Sequence, residues 1–173
     1  VETLCAAAQV AAFGADWFRA RGTDRSSGTK LLSVSGDCPR RGVYEYPFGV
    51  TVRDVLEDGC ATDTLAVQVG GPSGNCVADE EFDRCIAFED LSTAGAFVVF
   101  DTRRDLFEVA RSYVHFFAHE SCGFCTPCRV GTSMLAQVMD KIHDGKGSPH
   151  ELSELGQLNE VLLESAHCGL GHS

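Results

Sequence analysis

The run S-C-G-F-C-T-P-C-R-V-G, residues 121–131, contains Cys122, Cys125 and Cys128, each separated from the next by two residues. A fourth cysteine, Cys168, lies near the C-terminus in A-H-C-G-L-G-H. Iron–sulfur clusters are usually held by four cysteine thiolates, and closely spaced Cys-x2-Cys-x2-Cys runs are typical of 4Fe-4S sites. We therefore predict that these four cysteines bind one 4Fe-4S cluster, which requires the intervening chain to fold back on itself.

The residues around the cysteines predict a helix start beside the cluster. Thr126 and Pro127 resemble an N-cap followed by a favoured first helical residue, which places Cys128 in the first turn. Free backbone N–H groups and the positive end of the helix dipole stabilise a thiolate there. Gly169 and Gly171 lack side chains, so we expect the backbone to approach the cluster closely at these two positions.

A structural zinc site is the main alternative interpretation of the four cysteines. Zinc is typically held by two Cys-x2-Cys pairs, whereas here three cysteines are clustered and the fourth is remote. The spacing favours the cluster over a zinc-stabilised protein-interaction module without redox activity. His119 and His167 lie near the cysteines in sequence. Because four thiolates already complete the ligand set, we expect these histidines to pack or to form hydrogen bonds near the cluster.

Composition and charge exclude several classes of protein. The 173 residues include 14 basic and 25 acidic side chains, a net charge of −11 that argues against nucleic-acid binding. No apolar run approaches the length of a bilayer span, so we expect no direct membrane insertion. The nine cysteines are odd in number and mostly widely spread, unlike the dense frameworks of secreted disulfide proteins. We therefore expect a cytoplasmic protein with five reduced thiols: Cys5, Cys38, Cys60, Cys76 and Cys85.

The first 27 residues predict a helix followed by a linker. Small and apolar residues recur at helical spacing through about residue 20: Leu4, Ala7, Ala8, Ala11 and Ala12. The chain starts within this element, with no initiator Met, so we expect a fragment of a longer protein. Residues 21–28 are polar and rich in turn formers, which predicts a linker.

Residues 28–103 predict a small α+β domain of the β-grasp type. The segments Lys30–Ser35 and Val43–Tyr46 resemble the two strands of a hairpin. Thr51–Leu56 predicts a short helix that ends at Gly59, and two apolar runs predict later strands at Leu65–Val69 and Ala96–Phe100.

Residues 104–173 predict three helices packed as a bundle. Apolar residues recur at helical spacing before the cysteine run and again after it, as far as Gly145. Ser148, Pro149 and Glu151 then form a typical helix N-terminus, with a Ser cap, Pro at the first position and Glu three residues beyond the cap. Short connections between such helices favour a bundle, which we expect to bind the cluster.

These segments, in this order, resemble the C-terminal part of the NADH-binding flavoprotein (diaphorase) subunit family. That family includes subunits of respiratory complex I, NAD-reducing hydrogenase and NAD-dependent formate dehydrogenase. V-E-T-L at residues 1–4 resembles the segment that closes the family's flavin domain. G-T-K-L-L-S-V-S-G-D at 28–37 and G-V-Y-E-Y-P-F-G at 42–49 resemble its soluble-ligand-binding β-grasp domain. E-S-C-G-F-C-T-P-C-R-V-G at 120–131, with C-G-L-G at 168–171, resembles its cluster-binding domain.

The resemblance implies electron transfer within an NAD-linked flavin and iron–sulfur oxidoreductase. In the family, FMN takes a hydride from NADH and passes single electrons to a 4Fe-4S cluster, whose ligands here would be Cys122, Cys125, Cys128 and Cys168. The partners it implies are further iron–sulfur subunits of a multi-subunit enzyme. The C-G-F-C-T-P-C-R-V-G-T run and the C-G-L-G-H ending favour the soluble diaphorases, with the formate dehydrogenase type slightly ahead of the hydrogenase type and complex I next.

Most of the FMN and NAD site of the family has no counterpart in this sequence. The glycine-rich segment that binds the flavin and the nucleotide would precede Val1. At most Glu2 and Thr3 remain from the flavin site, and Thr3 is the candidate FMN contact. We therefore expect a diaphorase-type oxidoreductase subunit that holds the cluster and is not active alone.

Overall fold

The computed structural model describes residues Val1–Ser173 and contains one five-stranded sheet and six α-helices, which confirms the prediction of a mixed helix and sheet protein. The chain forms two compact units, residues 1–104 with the whole sheet and residues 105–173 with helices alone. None of the helices combines the length and the hydropathy needed to cross a bilayer.

The sheet of the first unit has the strand order β2-β1-β5-β3-β4. Its strands are β1 (Thr29–Gly36), β2 (Gly42–Pro47), β3 (Thr64–Val69), β4 (Asn75–Ala78) and β5 (Ala96–Asp101). Strands β1 and β5 are parallel neighbours at the centre, and every other pairing is antiparallel. The parallel pair requires a long connection, which here contains β2, β3, β4 and the helix α3 (Val52–Asp58).

Alternating apolar residues give the sheet one buried face. In β1 only Leu32 and Val34 are buried, in agreement with the pattern that predicted the strand. Helix α3 contributes its apolar stripe to the same core, and Thr51 and Asp54 form a capping box at its N-terminus. The shared core residues of these elements include Leu32, Val34, Val52, Val55, Leu56, Val67, Val69, Phe97 and Val99.

The predicted strands and the predicted short helix of this unit are all present, but β4 is an additional strand. Strand β4 has four residues and follows the tight turn through Gly70 and Gly71, both with positive φ. Only Val77 of β4 is buried, so the sequence offers no alternation by which to recognise it.

The N-terminal helical segment is broken into α1 (Glu2–Phe13) and α2 (Ala15–Arg19). Gly14 separates them with φ of +87°, a conformation that glycine adopts readily. No residue of α1 is buried. The Glu2 carboxylate connects α1 to β1, because it accepts the Leu31 N–H at 2.9 Å and pairs with Lys30.

Residues 21–28, which the sequence predicts as a linker, form an ordered turn. Gly22 and Ser27 pair across it, and Ser26 is buried. The hydroxyls of Thr23 and Ser26 both donate to the Glu89 carboxylate, and Ser26 Oγ accepts the Phe88 N–H at 2.9 Å. Turn formers are common both in linkers and in structured turns. Here the hydrogen bonds to the distant Glu89 stabilise an ordered turn.

The second unit consists of the helices α4 (Leu106–Glu120), α5 (Thr126–His143) and α6 (Pro149–Ser165). Helix α5 packs against both α4 and α6. Side chains of Arg111 and His115 on α4 bind Asp140 on α5, at 2.7 and 2.8 Å. The predicted capping box of α6 is present, with Ser148 and Glu151 reciprocally bonded.

Helix α5 starts one residue earlier than the sequence predicts. Cys125 occupies the N-cap position, and Thr126 and Pro127 are the first two helical residues. The prediction of Thr126 as the cap is therefore wrong, because Pro127 is as well suited to the second helical position as to the first. Cys128 nevertheless lies in the first turn of the helix, as predicted.

Candidate metal centre

The four predicted ligand cysteines line a single cavity of about 230 Å³ in the helical unit. Cys122 and Cys125 lie in the loop between α4 and α5, Cys128 in the first turn of α5, and Cys168 in the segment after α6. The other lining residues are Glu120, Ser121, Phe124, His167 and Leu170. The structure thus brings the remote cysteine to the three clustered ones.

The loop that carries the cysteines is closed by hydrogen bonds within the motif. Gly123 adopts a φ of +75°, which turns the chain between Cys122 and Cys125. The Arg129 guanidinium reaches back from α5 and donates to the Gly123 carbonyl at 2.6 Å. Arg129 therefore holds the loop against the helix start, a role that its place in the sequence does not reveal.

The four thiols differ in exposure. Cys128 is buried at 6% relative exposure, Cys125 is partly buried, and Cys122 and Cys168 are exposed. The Ser121 hydroxyl lies 3.3 Å from the Cys128 sulfur. Backbone N–H groups of His167 and Cys128 lower the pKa of the Cys125 thiol. A lower pKa favours the thiolate, the form in which cysteine binds metals.

The segment after α6 is packed directly onto the start of α5. A Cβ atom at Gly171 would lie less than 3.0 Å from the Ala166 Cβ and 3.3 Å from the Cys128 Cβ. His172 Nε2 donates to the Ala166 carbonyl at 2.7 Å. Gly171 is thus required for the close approach of the two segments. At Gly169, by contrast, an added Cβ would have no protein atom within 4 Å, and the expected approach of this glycine to the cluster stays a prediction.

The histidines near the motif have different positions. The ring of His167 packs beside the ring of Phe124, with centroids 5.4 Å apart, and both line the cavity. His119 does not line the cavity, and its Nδ1 lies 3.0 Å from the Glu120 carboxylate. Sequence reasoning missed Ser121 and Phe124, because a serine and an exposed phenylalanine beside a motif carry no ligand pattern of their own.

The donor set fits an iron–sulfur cluster better than a single ion. No group of three or more histidine, cysteine, aspartate or glutamate side chains is arranged to hold one metal ion. The four thiols line a cavity of about 230 Å³, which is larger than the apolar cavity of about 150 Å³ that accommodates benzene and therefore has room for more than one ion. Four cysteine sulfurs are the usual ligands of a 4Fe-4S cluster.

The predicted FMN contact, Thr3, lies apart from this site along the chain. It is an exposed residue in the first turn of α1, in the unit that contains the sheet. Its assignment to FMN stays a prediction.

Comparison with known proteins identifies several relatives of this chain. Residues 108–173 match the family model described as the NADH-ubiquinone oxidoreductase-F iron-sulfur binding region. The NAD-reducing hydrogenase HoxS subunit alpha of Cupriavidus necator is 44% identical over 99% of this chain and 29% of its own length. The NADP-reducing hydrogenase subunit HndC of Solidesulfovibrio fructosivorans is 37% identical over 100% of this chain and 38% of its own length.

A solved structure shows the same fold. The crystal structure of an NAD+-reducing [NiFe]-hydrogenase in the H2-reduced state superposes with a TM-score of 0.92 and 44% identity, covering 98% of this chain and 30% of that one. The chain thus spans well under half the length of these relatives. The residues of its helical unit thus match the NADH-ubiquinone oxidoreductase-F iron–sulfur binding region, and the whole chain is similar in sequence to these hydrogenase subunits.

Proposed function

We propose that the helical unit binds a 4Fe-4S cluster through Cys122, Cys125, Cys128 and Cys168 and relays single electrons within an NAD-linked oxidoreductase. The observation that carries this proposal is the convergence of the four thiols on one cavity from two segments that are distant in sequence. The family match to an iron–sulfur binding region covers all four cysteines and supports the same assignment.

The residues of the chain supply what an anionic cluster requires. A bound cluster supplies one-electron transfer without any bond being made or broken in the protein. Cys128 lies in the first turn of α5, where the positive end of the helix dipole offsets negative charge. Backbone N–H groups beside Cys125 act in the same direction. The buried Cys128 and the packed Gly171 shield one side of the cavity from water.

The exposed side of the cavity is suited to electron exchange. Cys122 and Cys168 are exposed, and Phe124 is 76% exposed at the same rim. A partner that contacts this rim approaches two of the four sulfurs without displacing any helix.

We propose that the partners are other iron–sulfur subunits of a multi-subunit NAD-linked enzyme. Both hydrogenase relatives favour the hydrogenase type of diaphorase over the formate dehydrogenase type.

We propose that FMN and NAD act in the complete subunit and that this chain accounts for the electron path beyond them. Residues 1–27 would then close a flavin-binding domain, with Thr3 as an FMN contact. A cytoplasmic location, which follows from the cysteine pattern alone, stays a prediction.

We further propose that residues 28–103 form a β-grasp domain and that residues 104–173 form a cluster-binding helical bundle. The β-grasp assignment is supported by the order β2-β1-β5-β3-β4, by the parallel central pair and by α3 packed in the core. The bundle assignment is supported by the packing of α5 against both α4 and α6.

The test of the cluster is metal and sulfide analysis of the anaerobically reconstituted chain, together with low-temperature EPR of the reduced protein. We expect about four irons and four sulfides per chain. Serine at any of the four proposed ligands should deplete the cluster, whereas Cys5→Ser and Cys76→Ser, which change exposed thiols outside the cavity, should not. A colourless protein with one tightly bound zinc would refute the cluster and establish the zinc-stabilised module instead.

A further inference from the structure

Ser121 supplies the only hydroxyl group in the lining of the cysteine cavity. Its oxygen lies 3.3 Å from the sulfur of Cys128, which is the most deeply buried of the four thiols. Ser121 is also the C-cap residue of α4, with φ of −58° and ψ of 123°, so the helix end sets the direction of its Cα–Cβ bond. The contact therefore arises from the local fold of the motif.

The hydrogen-bonding partners determine which atom donates. The Gly123 N–H donates to Ser121 Oγ at 3.4 Å, so the hydroxyl oxygen already serves as an acceptor. A cysteine that ligates iron is a thiolate with no proton to give. The Ser121 O–H must then donate to the Cys128 sulfur, and the Gly123 N–H polarises that hydroxyl in the same direction.

Burial makes a hydrogen bond to the Cys128 sulfur stronger than one to the exposed sulfurs of Cys122 and Cys168. Cys122 and Cys168 are exposed, so water can solvate their sulfurs in either redox state. Cys128 is only 6% exposed, and a hydrogen bond to a charged group is stronger where water is excluded. Hydrogen bonds to the sulfurs are among the features that set the reduction potential of a cluster.

We propose that Ser121 is a positioning residue that donates a hydrogen bond to the Cys128 thiolate and thereby raises the reduction potential of the cluster. This inference rests on the proposed function. In the one-electron reduction by a soluble reductant, no bond breaks and no proton moves, and the charge on the sulfurs becomes more negative. A hydrogen-bond donor stabilises that more negative state preferentially.

The test is an EPR-monitored redox titration of the cluster-loaded chain and its variants. We expect Ser121→Ala to lower the midpoint potential, so that the ratio of reduced to oxidised cluster at a fixed potential falls about tenfold, which is about 59 mV for one electron. Ser121→Thr, which keeps the hydroxyl, should restore the potential. Ser133→Ala is the control, because Ser133 donates to the Arg129 carbonyl and does not line the cavity.

A second pair of variants covers the case in which Ser121→Ala fails to hold the cluster. Ser121→Val and Ser121→Thr have similar shapes and differ in the hydroxyl, so a lower potential for Val than for Thr supports the proposal. An unchanged potential in Ser121→Ala with full iron and sulfide content overturns it. Loss of the cluster from both Ala and Val, but not from Thr, also overturns it, because the hydroxyl is then structural. Absence of iron and sulfide from the parent chain refutes the proposed function itself.

Discussion

The close contact at Gly171 predicts that one added methyl group will weaken the binding of the proposed cluster. In Gly171→Ala, the new Cβ would lie less than 3.0 Å from the Ala166 Cβ and 3.3 Å from the Cys128 Cβ. Carbon atoms are normally about 3.5–4.0 Å apart at contact, so the segment must move by at least about half an ångström by that measure. Cys168 lies on the moving segment, and Cys128 lies on the helix from which that segment is pushed.

The size of the effect follows from the cost of overpacking, which is about 1–3 kcal/mol. If that cost falls on the cluster-bound state, cluster binding weakens about five- to 150-fold, since about 1.4 kcal/mol corresponds to a factor of ten. The assay is the rate at which visible absorbance bleaches when an iron chelator is added to the loaded chain. We expect correspondingly faster bleaching in Gly171→Ala than in the parent chain.

Two further variants make this prediction specific. Gly156 lies within α6 with no atom within 4 Å of a Cβ position, so Gly156→Ala should bleach at the parental rate. The double variant Ala166→Gly with Gly171→Ala removes the closest clash and should recover much of the cluster stability. Parental bleaching kinetics in a correctly folded Gly171→Ala chain would show that the contact does not control the position of Cys168.

The remaining predictions concern stability. The side chain of Asp37 is 7% exposed and forms a bidentate pair with Arg104, which lowers the pKa of Asp37 from 3.8 to about 2. Because the folded-state pKa is the lower one, the stabilisation is present above pH 3.8 and is lost as the pH falls towards 2. Asp37→Asn should therefore reduce the free energy of unfolding by about 1 kcal/mol at pH 6, after allowance for solvent screening. The reduction should become progressively smaller below pH 4, as urea denaturation at each pH will show. A reduction that stays constant from pH 6 to pH 2 would contradict the stabilising role of the ion pair. Ser148→Ala removes the cap of α6 and should cost about 1 kcal/mol in urea denaturation, whereas Ser153→Ala, at an exposed position within the same helix, should cost much less.

The sequence was sufficient to predict the elements whose signals are local. The alternation of Leu32 and Val34 predicts β1, and Ser148, Pro149 and Glu151 predict the start of α6. In both cases neighbouring residues determine the structure. The convergence of the four cysteines on one cavity was predictable because cluster ligands are of a particular chemical type and recur at a characteristic spacing; their role as ligands stays a prediction.

The features that the sequence did not predict depend on distant partners. Residues 21–28 become an ordered turn because Glu89 accepts hydrogen bonds from two of their hydroxyls. Strand β4 exists because β3 offers it an edge, and its own four residues carry little pattern. The contact of Ser121 with Cys128 depends on how the end of α4 is placed beside the start of α5. The residue types in this segment do not specify that placement.

The placement of Cys168 beyond α6 has a consequence for biosynthesis. During translation, Cys122, Cys125 and Cys128 emerge from the ribosome well before α6 and the residues that follow it. Before Cys168 is synthesised, a nascent chain would therefore offer only three of the four cysteines that we propose as cluster ligands. The proposed ligand set is therefore complete only once Cys168 has been synthesised, and we expect a chain truncated after α6 to retain less iron than the parent chain.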